Sequence, residues 1–446
     1  MNKYLCAFSC LFLLLTGSFR VAGQEASVPE KLAVALVNSL AKEDFVAATA
    51  NFDSAMSTAL PAPKLQAIWQ SLLAQAGSFK QQIGLRSEKT ATYNTIYVTC
   101  EFERVTLDAK VVLDANQRVT GLFFVPSPPP PTALSYSPPD YGPVDRVTER
   151  EVVIGSGDWA LPGTLTLPRS RGPFPAVVLV HGSGPNDRDE SIGPNKPFRD
   201  LALGLASRRI AVLRYEKRTK EHAAKLRSLK DTITIKEETL DDALAAVALL
   251  RKSPKIASGQ IYILGHSLGG TLAPRLGQLE PTVKGLIILA GSSRPLEDLI
   301  LEQTAYLSQA DSTPAAEQRL TQLKQQIARV KDPSLSQAVP AAELPLGVPA
   351  AYWLALRGYS PPAVASALKQ PMLILQGDRD YQVTLKDFQL WQQALSVRSN
   401  VTFKRYPTLN HLFMSGSGKS LPTEYQTPGH VDLQVLEDIA TWIQKQ

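Results

Sequence analysis

Ile261-Tyr262-Ile263-Leu264-Gly265-His266-Ser267-Leu268-Gly269-Gly270-Thr271-Leu272-Ala273 carries an apolar run through a glycine-flanked serine into a helix start. A short continuous apolar run such as 261–264 suits a strand buried on both faces of a parallel sheet. The next five residues fit G-x-S-x-G. A pattern this short arises by accident in long chains, so its weight comes from context: a strand ends where it begins and a helix starts where it ends. A sharp turn there would expose the serine, and glycines permit a backbone approach that a side chain would block. Ser267 is therefore the candidate nucleophile.

Outward from this stretch the pattern repeats. Residues 176–180, 210–214, 286–289 and 372–375 are further apolar runs. Thr234-Ile235-Lys236-Glu237 reads as a capping box, and Leu240, Ala243, Leu244, Val247 and Leu250 follow as the buried stripe of a crossover helix. Residues 151–154 and 164–167 read as an antiparallel entry pair. Strands alternating with helices define an α/β class with a mostly parallel sheet.

A serine hydroxyl needs a base, and histidine is the usual one near neutral pH. The five histidines are His181, His222, His266, His411 and His430. In a strand–turn–helix arrangement the acid and base follow the serine in sequence, which leaves His411 and His430. His411 stands in a loop just after the expected strand 401–405. His430 lies beside Pro428-Gly429 with no strand before it, so His411 is the candidate base. His266 reads as a packed or hydrogen-bonded neighbour and His222 as a surface residue. For the acid that orients the imidazole, Asp378 and Asp380 both sit directly after the strand 372–375, and spacing does not choose between them. Asp298, Asp311, Asp332 and Asp387 do not closely follow a strand end. The tetrahedral intermediate also needs preorganised backbone donors for its oxyanion. One is expected from the N–H of Leu268, the other from the loop Val180-His181-Gly182-Ser183-Gly184-Pro185, where Ser183 is the choice and His181 a brace.

With these three motifs in order, residues from about 147 to 446 resemble the α/β-hydrolase family. More closely, His181-Gly-Ser-Gly-Pro-Asn-Asp-Arg-Asp189 and Gly377-Asp-Arg-Asp-Tyr-Gln-Val383 are similar to bacterial serine esterases of the prolyl-oligopeptidase-like and monoacylglycerol-lipase-like branch. The resemblance implies that the acid is the last residue of G-x-x-D, here Asp380. It also implies that the insertion at about 294–368 is a helical cap. Residues 296–307 and 316–330 look helical, and Tyr352-Trp353-Leu354-Ala355-Leu356 is an apolar aromatic run. An insertion this long at the carboxyl end of the sheet lies where α/β ligands bind.

The rest of the 446-residue chain bounds the reading. With 44% hydrophobic and 20% charged residues it is neither disordered nor collagenous nor a coiled coil. The net charge of +6 is spread singly rather than in stripes, which argues against nucleic acid as a partner. Residues 1–23 read as a signal peptide: a positive start, the apolar stretch 5–15, and Val21-Ala22-Gly23 before the cut. The apolar stretch is about half of the roughly 20 residues that span a bilayer, so no stable membrane anchor is expected after its removal. Cleavage would remove Cys6 and Cys10, leaving Cys100 on an alternating strand face as a buried packing thiol and no internal disulfide. Residues 28–125 combine helical stripes with period-two strands around a turn at 114–117, a small α+β domain without histidine. This front domain is similar to a small domain of unknown function that precedes some bacterial esterases. Eight prolines among residues 126–143 mark 126–145 as a stiff linker before the catalytic domain at 146–446.

The expectation is an exported serine hydrolase, periplasmic or extracellular, that cleaves small-molecule carboxylic esters through an acyl-enzyme. Ser267, His411 and Asp380 form its triad, and Ser183 and Leu268 donate to the oxyanion. Neither a Cys/His ligand cluster nor a dinucleotide fingerprint is present, so no metal or organic cofactor is expected; a homodimer is compatible with the sequence. The alternatives are a serine peptidase or amidase with the same triad, and a non-catalytic binding protein on the same fold.

Overall fold

A computed structural model describes residues 27–89, 93–127, 136–229, 231–309 and 314–446. The residues read as a signal peptide and the Pro128–Pro131 run lie outside the described residues. The chain divides into two compact units, with the break after Ala133.

Among the described residues the front unit has four helices, α1 (Val28–Ala41), α2 (Phe45–Thr49), α3 (Ser54–Ala59) and α4 (Ala62–Ala76). They precede β1 (Phe79–Lys89), β2 (Asn94–Phe102), β3 (Thr106–Leu113) and β4 (Val119–Pro126), an antiparallel sheet in sequence order. α1 buries Ala33, Leu36, Val37 and Leu40, which recur at helical spacing on one stripe. Trp69 of α4 is fully buried among Phe79, Phe102 and Phe124. Cys100 faces the same core, and burial pushes its thiol up to about 12, the inert packing group its strand position predicts.

In the second unit an eight-stranded sheet runs β5-β6-β8-β7-β9-β10-β11-β12. Its strands are β5 (Val147–Ile154), β6 (Leu161–Pro168), β7 (Phe174–Val180), β8 (Ala211–Tyr215), β9 (Ile256–His266), β10 (Gly285–Leu289), β11 (Met372–Gly377) and β12 (Val401–Tyr406). β5, β6 and β8 pair antiparallel, and from β8 to β12 every neighbour is parallel. The central strands are buried on both faces, which is why they appear in sequence as unbroken apolar runs. One face is covered by α8 (Asp241–Arg251), α9 (Leu268–Leu279) and α14 (Leu385–Leu395). The other is covered by α5 (Pro197–Ser207) and α15 (Leu433–Gln444). Each aliphatic side chain fully buried between these layers contributes about 1.5–3 kcal/mol of transfer free energy. Two short helices, α6 (Arg218–Glu221) and α7 (Ala223–Ser228), follow β8.

Between β10 and β11 lie α10 (Leu296–Ser308), α11 (Pro314–Lys331), α12 (Ala350–Leu356) and α13 (Pro361–Ala367). This insertion carries a core of its own around Ile300, Leu323, Ile327, Leu344 and Trp353. Its first helix reaches the loop after β11: Tyr306 stacks on Tyr381 at 5.0 Å, and Gln303 donates to the Gln382 carbonyl.

The linker boundary differs from the sequence reading. Residues 136–146 are not a free tether but lie against the α/β unit. The Tyr136 hydroxyl donates to Asp200 Oδ1 at 2.8 Å, and that of Tyr141 to the Val431 carbonyl at 2.6 Å. Gly142 passes so close to Leu203 that a Cβ there would fall 2.8 Å from the leucine side chain. Two tyrosine rings, each with a partner for its hydroxyl, turn the second half of a proline-rich stretch into packed structure. No helix among the described residues is long and apolar enough to cross a membrane.

Candidate active site

Because β7, β9, β11 and β12 are parallel, the loops that follow them emerge on one edge of the sheet, where α/β ligands bind. Those four loops carry Ser183, Ser267, Leu268, Asp378, Asp380 and His411.

After β9 the chain turns at Ser267 with φ 53° and ψ −115°, a backbone conformation that residues with a side chain rarely adopt. The turn is held by the Ser267 N–H on the Leu289 carbonyl and by the Thr271 N–H on the Ser267 carbonyl, both at 2.9 Å. The flanking glycines are steric necessities. A Cβ at Gly265 would sit 2.1 Å from the Gly269 carbonyl oxygen, and one at Gly269 would sit 2.2 Å from that of Val180. α9 starts at Leu268, so the positive end of its dipole faces the serine.

After β12 comes His411, buried, whose Nδ1 is 2.7 Å from Asp380 Oδ2. Asp380 Oδ1 accepts the backbone N–H groups of Gln382 at 2.8 Å and Val383 at 2.9 Å, so this carboxylate is anchored by the loop after β11. Asp378 goes elsewhere. It pairs with Arg405, whose side chain is half exposed, and forms no hydrogen bond or ion pair with His411 among the described residues. Of the two aspartates that spacing left open, it is Asp380 whose carboxylate meets His411. Ser267 and His411 share no hydrogen bond among the described residues; the His411 ring is bonded to Asp380. His266, adjacent to Ser267 in sequence, packs against the His411 ring with the centroids 4.7 Å apart and the planes tilted by 46°.

The loop after β7 packs on this turn. A Cβ at Gly182 would lie 3.1 Å from Ser267 Cβ and 3.6 Å from its Oγ. The Gly182 N–H is taken by Glu190 Oε1 at 2.6 Å. The N–H groups of Ser183 and Leu268 have no acceptor among the described residues. His181 points away, packed against Phe198 and Tyr215 with Nε2 3.1 Å from the Asp187 carbonyl. The other two histidines have partners elsewhere: His222 lies against the Ala160 carbonyl and Trp159, and His430 against Asp200.

Glu190 was not legible in the sequence. Its carboxylate takes the Gly182 N–H with one oxygen and His266 Nδ1 with the other at 2.9 Å, while His266 Nε2 meets the His411 carbonyl at 2.9 Å. One buried pair thus joins the loops after β7, β9 and β12. Burial opposes charge on Glu190, but His266 more than offsets it and holds the carboxyl below its ordinary range. Burial likewise opposes charge on His266, and Glu190 reverses it, holding the imidazole above its ordinary range. Glu190 adopts a positive φ of 51°, so the pair is held at the expense of backbone comfort.

His181 behaves oppositely. Burial lowers its pKa to about 4 from 6.5, and the nearby Lys217 charge adds to the effect. A depressed folded-state value means that its contribution to stability is intact above pH 6.5 and is lost as pH falls through about 4. The loss is roughly 3 kcal/mol at 1.36 kcal/mol per unit. Replacing His181 by Gln should flatten the stability profile between these pH values in denaturant melts. An unchanged slope would show that His181 is not the group responsible.

Comparison with known proteins followed the same division. Residues 177–418 match a model described as the alpha/beta hydrolase family, and residues 33–122 match one described as a protein of unknown function (DUF3887). Over 409 residues the chain is 39% identical to Esterase EstD of Thermotoga maritima, covering 92% of this chain and 94% of that protein. Among solved structures, Est1E from Butyrivibrio proteoclasticus is similar at 16% identity and a TM-score of 0.44, over 66% of this chain and 99% of that one. The Pyrococcus horikoshii acylaminoacyl peptidase is similar at 13% identity and a TM-score of 0.46, over 84% of this chain and 57% of that one.

Proposed function

Since the chain belongs to the alpha/beta hydrolase family, we propose that it is a serine carboxylesterase working through an acyl-enzyme. The observation that carries the reading is the buried Asp380–His411 pair at 2.7 Å, on the same sheet edge as a serine in a strained strand–helix turn. The identity to a protein named an esterase, over nearly all of both chains, supports esters as the substrate class.

His411 Nε2 takes the proton as Ser267 Oγ adds to the ester carbonyl carbon, and the carbonyl π electrons move onto oxygen. Asp380 keeps the other ring proton on Nδ1 and stabilises the imidazolium. The N–H groups of Ser183 and Leu268 hold the oxyanion. The C–O bond to the alcohol breaks, His411 returns its proton to the departing alkoxide, and an acyl-Ser267 remains. Water, deprotonated by the same imidazole, repeats the addition and releases the acid. The reading requires Ser267 Oγ to come within hydrogen-bond reach of His411 Nε2 when the ester binds.

The test is a panel of nitrophenyl esters of graded acyl length run beside aminoacyl-nitroanilides. Turnover of the esters with inert anilides is expected; efficient anilide cleavage would reassign the protein as a peptidase or amidase. The same panel probes the front unit. A chain beginning at Leu134 keeps Tyr136 and Tyr141 with their partners, and it is expected to fold and to cleave the shortest ester within about twofold of the full chain, as an independent domain would. If the shortened, folded chain loses turnover on that ester, the front unit belongs to the catalytic machinery.

A further inference from the structure

Lys217 is buried, directly after β8, and its ammonium has two partners. It donates to the Gly182 carbonyl at 2.7 Å and to Glu238 Oε1 at 2.6 Å. Glu238 is itself held by the Tyr352 hydroxyl of α12 at 2.6 Å. A buried Lys–Glu pair is a poor device for stability, because desolvating both charges consumes most of their attraction. Its placement suggests another use. The Gly182 carbonyl and the Ser183 N–H are two ends of one peptide group.

We infer that Lys217 is a positioning residue that aims and polarises the Ser183 N–H for the oxyanion. This inference rests on the proposed role of Ser183 above. The C=O and N–H of a trans peptide point in opposite directions, so fixing Gly182 O on a buried ammonium fixes the direction of the Ser183 N–H. A hydrogen bond to a charged donor is roughly twice as strong as a neutral one, and it draws amide electron density towards oxygen, leaving the N–H a stronger donor. The loop is restrained from several sides. Asn186 Nδ2 donates to the Gly182 and Ser183 carbonyls at 3.2 and 3.1 Å, and Thr219 Oγ1 to the Gly184 carbonyl at 3.1 Å. Glu190 takes the Gly182 N–H. Gly182 is therefore clamped between a carboxylate on its N–H and an ammonium on its carbonyl. Through Glu238 and Tyr352 this clamp is tied to the insertion between β10 and β11, so the donor peptide is referenced to both the sheet and the inserted helices.

Such a residue should act on the transition state and leave ground-state binding alone. Loss of a whole oxyanion donor lowers kcat by about 100- to 1,000-fold, so loss of its polarisation should lower kcat by about 10- to 100-fold with KM nearly unchanged. Two variants test this: Lys217→Met, and Lys217→Met with Glu238→Gln, the second removing the carboxylate that would otherwise be left unpaired. For each folded variant, kcat and KM on the shortest nitrophenyl ester are measured. So are the affinities of an aryl trifluoromethyl ketone, which forms a tetrahedral serine adduct, and of the matching methyl ketone, which does not. The inference expects the trifluoromethyl ketone to weaken by the same factor as kcat/KM while methyl ketone binding stays unchanged. A double variant with wild-type kcat overturns it, as does equal weakening of both ketones, the mark of a merely structural role. Ser267→Ala run alongside separates the two readings. Full activity in that variant would refute the serine mechanism itself, whereas an inactive Ser267→Ala beside an unimpaired Lys217→Met would refute only the role of Lys217.

Discussion

Ser267→Ala is expected to lower ester turnover by about a million-fold, the loss typical of a missing triad nucleophile, with the residue of activity supplied by the oxyanion donors and substrate binding. The substitution is structurally mild. Alanine at position 267 meets the same positive φ as serine, and the flanking backbone bonds to Leu289 and from Thr271 use main-chain atoms only. The folded variant should therefore melt within a few degrees of the parent while failing to react with an organophosphonate. Mass spectrometry of the phosphonylated protein identifies the reactive serine. If the label persists at another position, Ser267 is not the nucleophile and the mechanism above is void.

Asp380→Asn should lower turnover by roughly four orders of magnitude, and the hydrogen bonds explain the sign. Oδ1 of Asp380 accepts two backbone N–H groups, so the amide oxygen of an asparagine would remain there. Its NH2 would then face His411 Nδ1 in place of Oδ2. A donor at that point obliges Nδ1 to accept, which moves the ring proton to Nε2, the atom that must be bare to deprotonate the serine. Asp378→Asn loses only a pairing with the half-exposed Arg405, worth about 0–1 kcal/mol of stability, and should leave turnover within about twofold. The two variants, measured side by side on one ester, check the assignment; the reverse ranking would make Asp378 the acid.

Much of this was legible in the sequence for a single physical reason. Strands buried on both faces of a parallel sheet need apolar residues at every position, so 261–264 and 372–375 stand out as unbroken runs whose ends locate the loops of the candidate site. What stayed hidden has equally physical causes. β1 is an edge strand with two register irregularities, and its Phe-Lys-Gln-Gln-Ile-Gly alternation is diluted by polar residues. Asp378 and Asp380 occupy one short loop, and only the direction of the turn separates them. Glu190 lies 76 residues before His266, and Lys217 lies 21 residues before Glu238. A buried pair formed across loops leaves no periodicity to read. The docking of Tyr136 and Tyr141 was masked by the prolines around them, although each ring with its hydroxyl offered a handle for packing.

The order of strands also sets when the site comes into being. β9 ends at the serine near the middle of the sheet, whereas Asp380 and His411 follow β11 and β12, the last two strands along one side. Parallel pairing over such sequence separations is slow, because loop closure precedes the contacts that reward it. During synthesis, strands up to β10 emerge and can begin to pair well before the last two exist. A nascent chain that already displays its serine turn therefore lacks the Asp380–His411 pair on which the proposed mechanism depends. On that mechanism, hydrolytic competence would arrive only when the carboxyl-terminal edge of the sheet closes, and the first turnover would report that folding is complete.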